Sequence, residues 1–421
     1  MDKFVINGGN RLKGTLSVSG AKNASLPLMA AALLAPGKHE ISNVPELRDV
    51  RTMAHLLRIT GAKVELLDHT LFMDTEPCTF WEAPYELVKT MRASIYVLGP
   101  LLARFGKARV SLPGGCAWGP RPVDLHLMGM EKLGANLELS GGYINAEAKQ
   151  LHGARINFKI QSVGATGNIM MAAVLAKGTT LLQNAAAEPE MAALADYLNA
   201  MGAKIHGAGT DRIEIEGVSE LKPANFRNIP DRIEAGTLLV AAAITGSELT
   251  LNNLRVDHIE AVIDTLEQAG YTLKAAENSV TLSSTGRPLP VDIRTAPFPG
   301  FPTDMQAQWI ALMSLADGSC TITDTIYHDR FTHVAELKRL GADIQVEGNT
   351  AFVRGANKLQ GAPVMSTDLR ASACLILAGL AAEGRTDLSR VYHIDRGYER
   401  IEQRLRSIGA EIWREDEPMQ T

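Results

Sequence analysis

The 421-residue sequence has little of what marks the specialised protein classes. It has only four cysteines, Cys78, Cys116, Cys320 and Cys374. None form a Cys-x-x-Cys pair and no histidine stands at finger spacing from them, which argues against structural zinc, and a reducing compartment would disfavour disulfides. The longest apolar runs, LPLMAAALLA and AGTLLVAAAIT, fall short of the ~20 residues of a spanning helix. The start, MDKFVINGGNRLKG, lacks the charged head, apolar core and cleavage site of an export signal. A soluble, cytoplasmic protein is expected. With a net charge of -5 the chain has no polybasic signature, so neither nucleic acid nor a membrane is an expected partner, and any phosphate binding must be local. Also missing are a P-loop, a Gly-x-Gly-x-x-Gly after a strand, a His-Glu-x-x-His and a carboxylate-rich metal loop. The chemistry is expected to need no metal and no cofactor.

What the sequence does contain is a repeat. A helix end, a glycine, a small residue and an alternating strand recur as LRITGAKVEL, MEKLGANLEL, LNAMGAKIHG, LEQAGYTLKA, LKRLGADIQV and LRSIGAEIWR, with glycines Gly61, Gly134, Gly202, Gly270, Gly341 and Gly409. A second phrase, as in LLARFGKARVSLPG, keeps the same beat through Gly37, Gly106, Gly178, Gly246, Gly318 and Gly384. The period is about 70 residues, longer than that of ordinary solenoids. In each phrase an apolar stretch stops at glycine, which takes the left-handed conformation at a helix end without a Cβ clash. The unit reads β-α-β-α-β-β. One helix is apolar on most faces, as in GNIMMAAVLA, and belongs in the interior. The other, as in PYELVKTM or IDTLEQAG, is more amphipathic. Six units suggest an α/β protein of two domains, each with three repeats closed around a buried helix cluster. Pro230 in RNIPDRIEAG marks the break.

Polar residues gather where the buried helices begin: Lys22 and Asn23, Arg92, Ser162 with Val163 and Gly164, Arg232, Asp304, and Asp368 with Arg370. A helix N-terminus offers free N–H groups and partial positive charge, and so suits phosphates and carboxylates. Singly, each has a plainer reading: a solvated charge, a tight turn, or, for Asp304 and Asp368, an N-cap. Recurrence at equivalent points of a repeat favours a site.

These residues resemble the enolpyruvyl transferase family. The matching stretches include SGAKNASLPL, SLPGGCAWGPRPVDLH, SVGAT, DRIEAGT, RTAPFPGFPTDMQAQ, STDLRAS and YHIDRGYERIE, spread over essentially the whole chain. The resemblance implies two inside-out α/β barrels, residues 22–229 and residues 1–21 with 230–421, and an active site in the cleft between them. Residues before about position 21 would supply the strand that the C-terminal half lacks. It also implies transfer of enolpyruvyl from phosphoenolpyruvate to the 3-hydroxyl of UDP-N-acetylglucosamine with release of phosphate, an early step of peptidoglycan and cell-wall synthesis. The family's other established branch acts on shikimate 3-phosphate and lacks the thiol corresponding to Cys116.

Carried over by position, Lys22, Arg121 and Arg396 address the phosphate of phosphoenolpyruvate, and Arg330 and Arg370 its carboxylate. Asn23 and Asp304 address the sugar. Arg92, the run Arg121, Pro122, Val123, Asp124 and Leu125, together with Ser162, Val163, Gly164 and Ile326, resemble the nucleotide site, with Asp368 among the substrate contacts. Cys116 fits the acid that protonates the methylene carbon and Asp304 the base that takes the hydroxyl proton. The stretch around Cys116 would act as a closing lid, and the neighbouring Arg121 would acidify the thiol enough for a covalent thioether to form. Three positions depart from the family: Ile160 replaces a frequent lysine, Tyr96 a tryptophan, and Trp118 an aliphatic residue. Cys78, Cys320 and Cys374 read as packing residues in strand or helix patterns. A sugar-nucleotide sensor that kept the fold without the activity is the alternative of a different class.

Overall fold

A computed structural model describes residues 2–89, 91–112, 123–284 and 286–416. Among them the chain forms six mixed four-stranded sheets, one per repeat. In every repeat a leading strand and a second strand are parallel, separated by an inner helix. An outer helix follows, then a third strand and a fourth that lies against the second; these two form a hairpin in all but the sixth repeat. In the third repeat these elements are Arg155–Asn157, the inner helix Val163–Ala173, Thr179–Gln183, the outer helix Pro189–Ala200, and the hairpin Lys204–His206 and Arg212–Glu216.

The inner helices explain the layering. Ile233 to Ile244 of the fourth and Arg370 to Leu380 of the sixth are buried without a break. Helices apolar all round must be enclosed, and within each unit the three pack on one another. The sheets wall them with one face only, so the strands alternate, as in Arg212–Glu216, where Ile213 and Ile215 are buried between exposed charged residues. Outer helices are one-sided: Arg48–Ile59 buries Asp49, Val50, Met53, Ala54, Leu56 and Leu57. All twelve repeat glycines have positive φ, from 64° at Gly246 to 145° at Gly318. Gly106 caps the helix Leu98–Phe105 at φ 72°.

The chain divides into two compact units, Met1–Ser19 with Pro230–Thr421, and Gly20–Ile229, each with its own hydrophobic core. The N-terminal segment contributes two strands to the first of these, one more than the repeat count suggested. Asp2–Asn7 is the fourth strand of the sixth sheet, between Arg385–Ser389 and Glu411–Asp416, and Lys13–Ser17 is the leading strand of the fourth. In Gly20–Ile229 the late strand Asn225–Arg227 leads the first sheet, paired in parallel with Lys38–Ser42. Two local expectations are corrected. PYELVKTM is not an outer helix: only Tyr85–Val88 is helical, a single turn ahead of the inner helix, because the outer helix of that repeat is Asp124–Lys132. Cys78 lies in a turn, whereas Cys320 is in a strand and Cys374 in an inner helix. All three are buried, which pushes their thiols up, that of Cys320 to about 12.

One device recurs just after the second strand. Asn43, Asn184 and Asn253 sit there with left-handed backbones, φ 53° to 58°. Each side-chain amide donates to the carbonyl that follows the leading strand: to Asn228 at 2.9 Å, Phe158 at 2.9 Å and Val18 at 2.7 Å. Asparagine tolerates this conformation and spans the two parallel strand ends. The equivalent residues in the second, fifth and sixth repeats are Leu112, Asp324 and Arg390. Among the described residues no helix is long and apolar enough to cross a membrane.

Candidate active site

In Gly20–Ile229, Lys22 opens the inner helix of the first repeat, and its Nζ lies 3.0 Å from Asp49 Oδ2, both side chains largely buried. Asp49 belongs to the first turn of the outer helix and drew no notice in the sequence. Asn23 follows, half-buried. In the second repeat Arg92 begins the 3-10 turn Arg92–Val97 that leads into the inner helix Leu98–Phe105. Val123 precedes the outer helix, on whose first turn Asp124 is exposed and Leu125 buried. In the third repeat Ser162 caps its helix, its Oγ accepting from Ala165 N at 3.3 Å, while Val163 and Gly164 form the first turn, where backbone N–H groups have no partner within the helix.

His126 and Asn168, neither anticipated, organise this region. His126 is only 6% exposed, and a Cβ added to Gly164 would stand 3.1 Å from its Nε2, so the ring packs against the start of Val163–Ala173. Asn168 Oδ1 accepts from Gly99 N at 2.7 Å and its Nδ2 donates to Ile95 O at 2.8 Å, which fixes the orientation of the amide. That Nδ2 also lies 3.0 Å from His126 Nδ1, which must then accept, placing the imidazole proton on Nε2. Burial, then the charge of Arg92, pushes His126 down to about 4. Tyr96 is 8% exposed; a Cβ on Gly167 would lie 3.1 Å from its ring, so it packs on the inner helix. Ile160 is exposed.

In the other unit the polar groups are charged. Asp304 lies in the turn Thr303–Met305 ahead of the inner helix Gln306–Met313. Its Oδ1 is 2.8 Å from an Arg330 terminal nitrogen and its Oδ2 2.6 Å from one of Arg370. Burial alone would raise this carboxyl; the charges of Arg370 and Arg330, with their hydrogen bonds, outweigh it and hold it well below the usual carboxylate range. The same pairing raises Arg370 against its own burial. Arg370 also donates to Tyr398 Oη at 3.1 Å, and that hydroxyl lies 2.8 Å from Thr237 Oγ1. Gln308 Nε2 donates to Asp304 O at 2.9 Å and to Thr237 Oγ1 at 3.1 Å. Thr237, Gln308 and Arg370 come from the three inner helices of the unit, so their meeting follows from the repeat, yet no local motif announces it.

Asp368 caps Leu369–Ala381, its Oδ1 accepting from Arg370 N at 2.8 Å and Ala371 N at 3.1 Å. Arg396 ends the 3-10 turn Val391–Arg396, half-buried. Ile326 is 38% exposed, in the loop after the second strand of the fifth repeat. The structure thus joins Asp304, Arg330 and Arg370 directly and leaves Lys22 with Asp49. Cys116, Trp118, Arg121 and Pro122 lie outside the described residues.

Residues 6–405 match the family model described as EPSP synthase (3-phosphoshikimate 1-carboxyvinyltransferase). The chain is 57% identical over 419 residues to the UDP-N-acetylglucosamine 1-carboxyvinyltransferase of Trichlorobacter lovleyi, covering 99% of this chain and 100% of that one. It is 59% identical over 418 residues to the protein of the same name from Chloroherpeton thalassium, covering 99% and 97%. Among solved structures it is similar to the enolpyruvyl transferase NikO from Streptomyces tendae, with a TM-score of 0.90, 27% identity and 99% of each chain covered. It shares its fold with EPSP synthase from Acinetobacter baumannii, at a TM-score of 0.75 and 19% identity over 99% of this chain and 100% of that one.

Proposed function

The chain belongs to the enolpyruvyl transferase family, and from that premise we propose that it transfers the enolpyruvyl group of phosphoenolpyruvate to the 3-hydroxyl of UDP-N-acetylglucosamine, releasing phosphate, as a step of peptidoglycan synthesis. In this reading each unit is an inside-out α/β barrel of three repeats.

The observation that carries the chemistry is the grip of Arg330 and Arg370 on Asp304. Addition–elimination needs a base for the sugar hydroxyl and cations for an anionic enol ester. A carboxylate facing two guanidinium groups is a weak base while they hold it. An incoming carboxylate group of phosphoenolpyruvate competes for the same N–H donors, and each hydrogen bond it takes from Asp304 strengthens that base at the moment substrate arrives. Cys116 then protonates the methylene carbon while the sugar oxygen adds to the neighbouring carbon and its proton passes to Asp304. Elimination removes a proton from the new methyl group, restores the double bond and expels phosphate. The nucleotide is assigned to the starts of Val163–Ala173 and Asp124–Lys132, where Ser162, Val163, Gly164, Asp124 and Leu125 stand, with Arg92, Asn23 and Ile326; Lys22, Arg121 and Arg396 serve the phosphate. The reading calls for no cofactor.

Phosphate release from phosphoenolpyruvate, measured with UDP-N-acetylglucosamine and separately with shikimate 3-phosphate, tests the proposal. Release with the first acceptor alone is the expected outcome. Release only with the second, or binding of the sugar nucleotide without any release, overturns it.

A further inference from the structure

Just after the second strand, the fifth repeat carries an acid where the first, third and fourth carry asparagine. Where Asn43, Asn184 and Asn253 take the left-handed conformation and donate to the carbonyl after the leading strand, Asp324 is not left-handed and instead accepts from the hydroxyl of Thr295 at that point. Its side chain is fully buried and its oxygens serve two different elements. Oδ1 accepts from Ile326 N and Tyr327 N, both at 2.9 Å, and from Thr295 Oγ1 at 2.9 Å. Oδ2 accepts from Thr303 Oγ1 at 2.7 Å. Thr303 has one hydroxyl proton, so with that proton directed at Asp324 its lone pairs face Arg330, whose terminal nitrogen donates to it at 3.1 Å. The same nitrogen, NH1, lies 2.8 Å from Asp304 Oδ1.

Resting on the functional reading above, we propose that Asp324 is a positioning residue that couples the two substrates: one oxygen fixes the turn presenting Ile326 to the sugar nucleotide, and the other, through Thr303, aims Arg330 at Asp304 and at the enolpyruvyl donor. Three features support this. An isoleucine 38% exposed on a turn pinned by two backbone hydrogen bonds is a rigid apolar surface offered to solvent. The direction of the Thr303 hydroxyl is decided by an acceptor that cannot donate in its ionised form. The acid stands at this position only in the repeat that carries both Asp304 and Arg330.

The two arms can be cut separately. Thr303→Val removes the link to Arg330 and leaves the turn intact. We expect kcat for phosphate release to fall about tenfold with KM for UDP-N-acetylglucosamine unchanged, and Thr303→Ser to restore kcat. Asp324→Asn leaves one oxygen for the turn, presents an N–H donor to Thr303 and replaces charge-assisted hydrogen bonds by neutral ones in both arms: kcat falls and KM for the sugar nucleotide rises, each by about tenfold. In the double variant kcat falls no further than in Thr303→Val alone, while the KM increase persists. Independent, multiplicative kcat losses overturn the coupling, as does a Thr303→Ser variant as slow as Thr303→Val, or an Asp324→Asn enzyme within twofold of wild type in both constants. Where Asp324→Asn does not fold, the contrast between the Thr303 variants decides the Arg330 arm, and Ile326→Ala, expected to raise KM alone, decides the other. A wild-type chain that releases no phosphate with UDP-N-acetylglucosamine overturns the functional reading itself; an active wild type with unaffected variants overturns only this inference.

Discussion

Around the start of Val163–Ala173 the charge of Arg92 stands among neutral groups: an amide, an imidazole held uncharged, a serine cap and backbone N–H groups. Around the start of Gln306–Met313 the central groups are charged: one carboxylate between two guanidinium groups, braced by Tyr398, Gln308 and Thr237. The repeats supply the same backbone in both places, with a buried helix beginning beside the end of a parallel strand. The difference lies in what each surrounding asks of it. In the proposed function the first region only has to hold a nucleotide without altering it, whereas a reaction that shifts a proton and expels an anion needs groups whose charge responds to the ligand.

The comparison breaks most severely at Asp304. Asp304→Ala is expected to lower the rate of phosphate release by about 10²- to 10⁴-fold, and to cost about 3 kcal/mol in stability because Arg330 and Arg370 lose a buried counter-charge. Near-native turnover would show that the charged cluster is only structural. Next, Asn168→Ala should cost about 3 kcal/mol in urea unfolding, since Gly99 N, Ile95 O and His126 Nδ1 all lose their partner, and should weaken sugar-nucleotide binding more than it slows turnover.

Acid separates the two regions. His126 titrates at about 4 in the folded protein against ~6.5 in an unfolded chain, so unfolding takes up a proton below that upper value. Its contribution is complete above pH ~6.5 and is lost as the pH falls toward 4, by about 3 kcal/mol in all. His333, 1% exposed and likewise lowered to about 4, adds to the same window. Asp304 is lowered instead below the ordinary carboxylate value, so its contribution persists until the pH is well under 4. Urea midpoints between pH 7 and 4 should therefore show a shallower decline in His126→Gln and an unchanged slope in Asp304→Asn; the opposite pattern would reverse the assignment. The smallest effect is expected at Asp368: replacement by Ala should cost about 1 kcal/mol in thermal or urea unfolding, and Ser should recover most of it.

Much of this was legible where the cause is local. The repeat glycines could be found because each must take positive φ where a helix or hairpin turns, and the inner helices because a segment apolar on every face has nowhere else to go. PYELVKTM misled because amphipathic spacing does not measure length, and only one turn of it is helical. Lys22 and Arg370 were visible as charges near helix starts, and Arg330 through the resemblance to the family. Asp49, His126, Asn168, Tyr398 and Asp324 were not, since what distinguishes them is a partner distant in the chain: Tyr398 meets Thr237 across 161 positions and His126 meets Asn168 across 42. Asp324 becomes visible only when the repeats are laid over one another and an acid is found where three of them carry asparagine.

The strand Asp2–Asn7 is hydrogen-bonded on one side to Arg385–Ser389 and on the other to Glu411–Asp416. During synthesis, therefore, this strand emerges some 380 positions ahead of the neighbours it pairs with. Among the described residues Gly20–Ile229 has its twelve strands once Asn225–Arg227 has emerged, while Asp2–Asn7 still waits for Arg385–Ser389 and Glu411–Asp416. Until then its apolar residues Phe4, Val5 and Ile6, all fully enclosed in the finished protein, are exposed on a nascent chain. A tag or truncation at this end should thus act late and broadly, leaving two sheets of the other unit incomplete while Gly20–Ile229 folds as before.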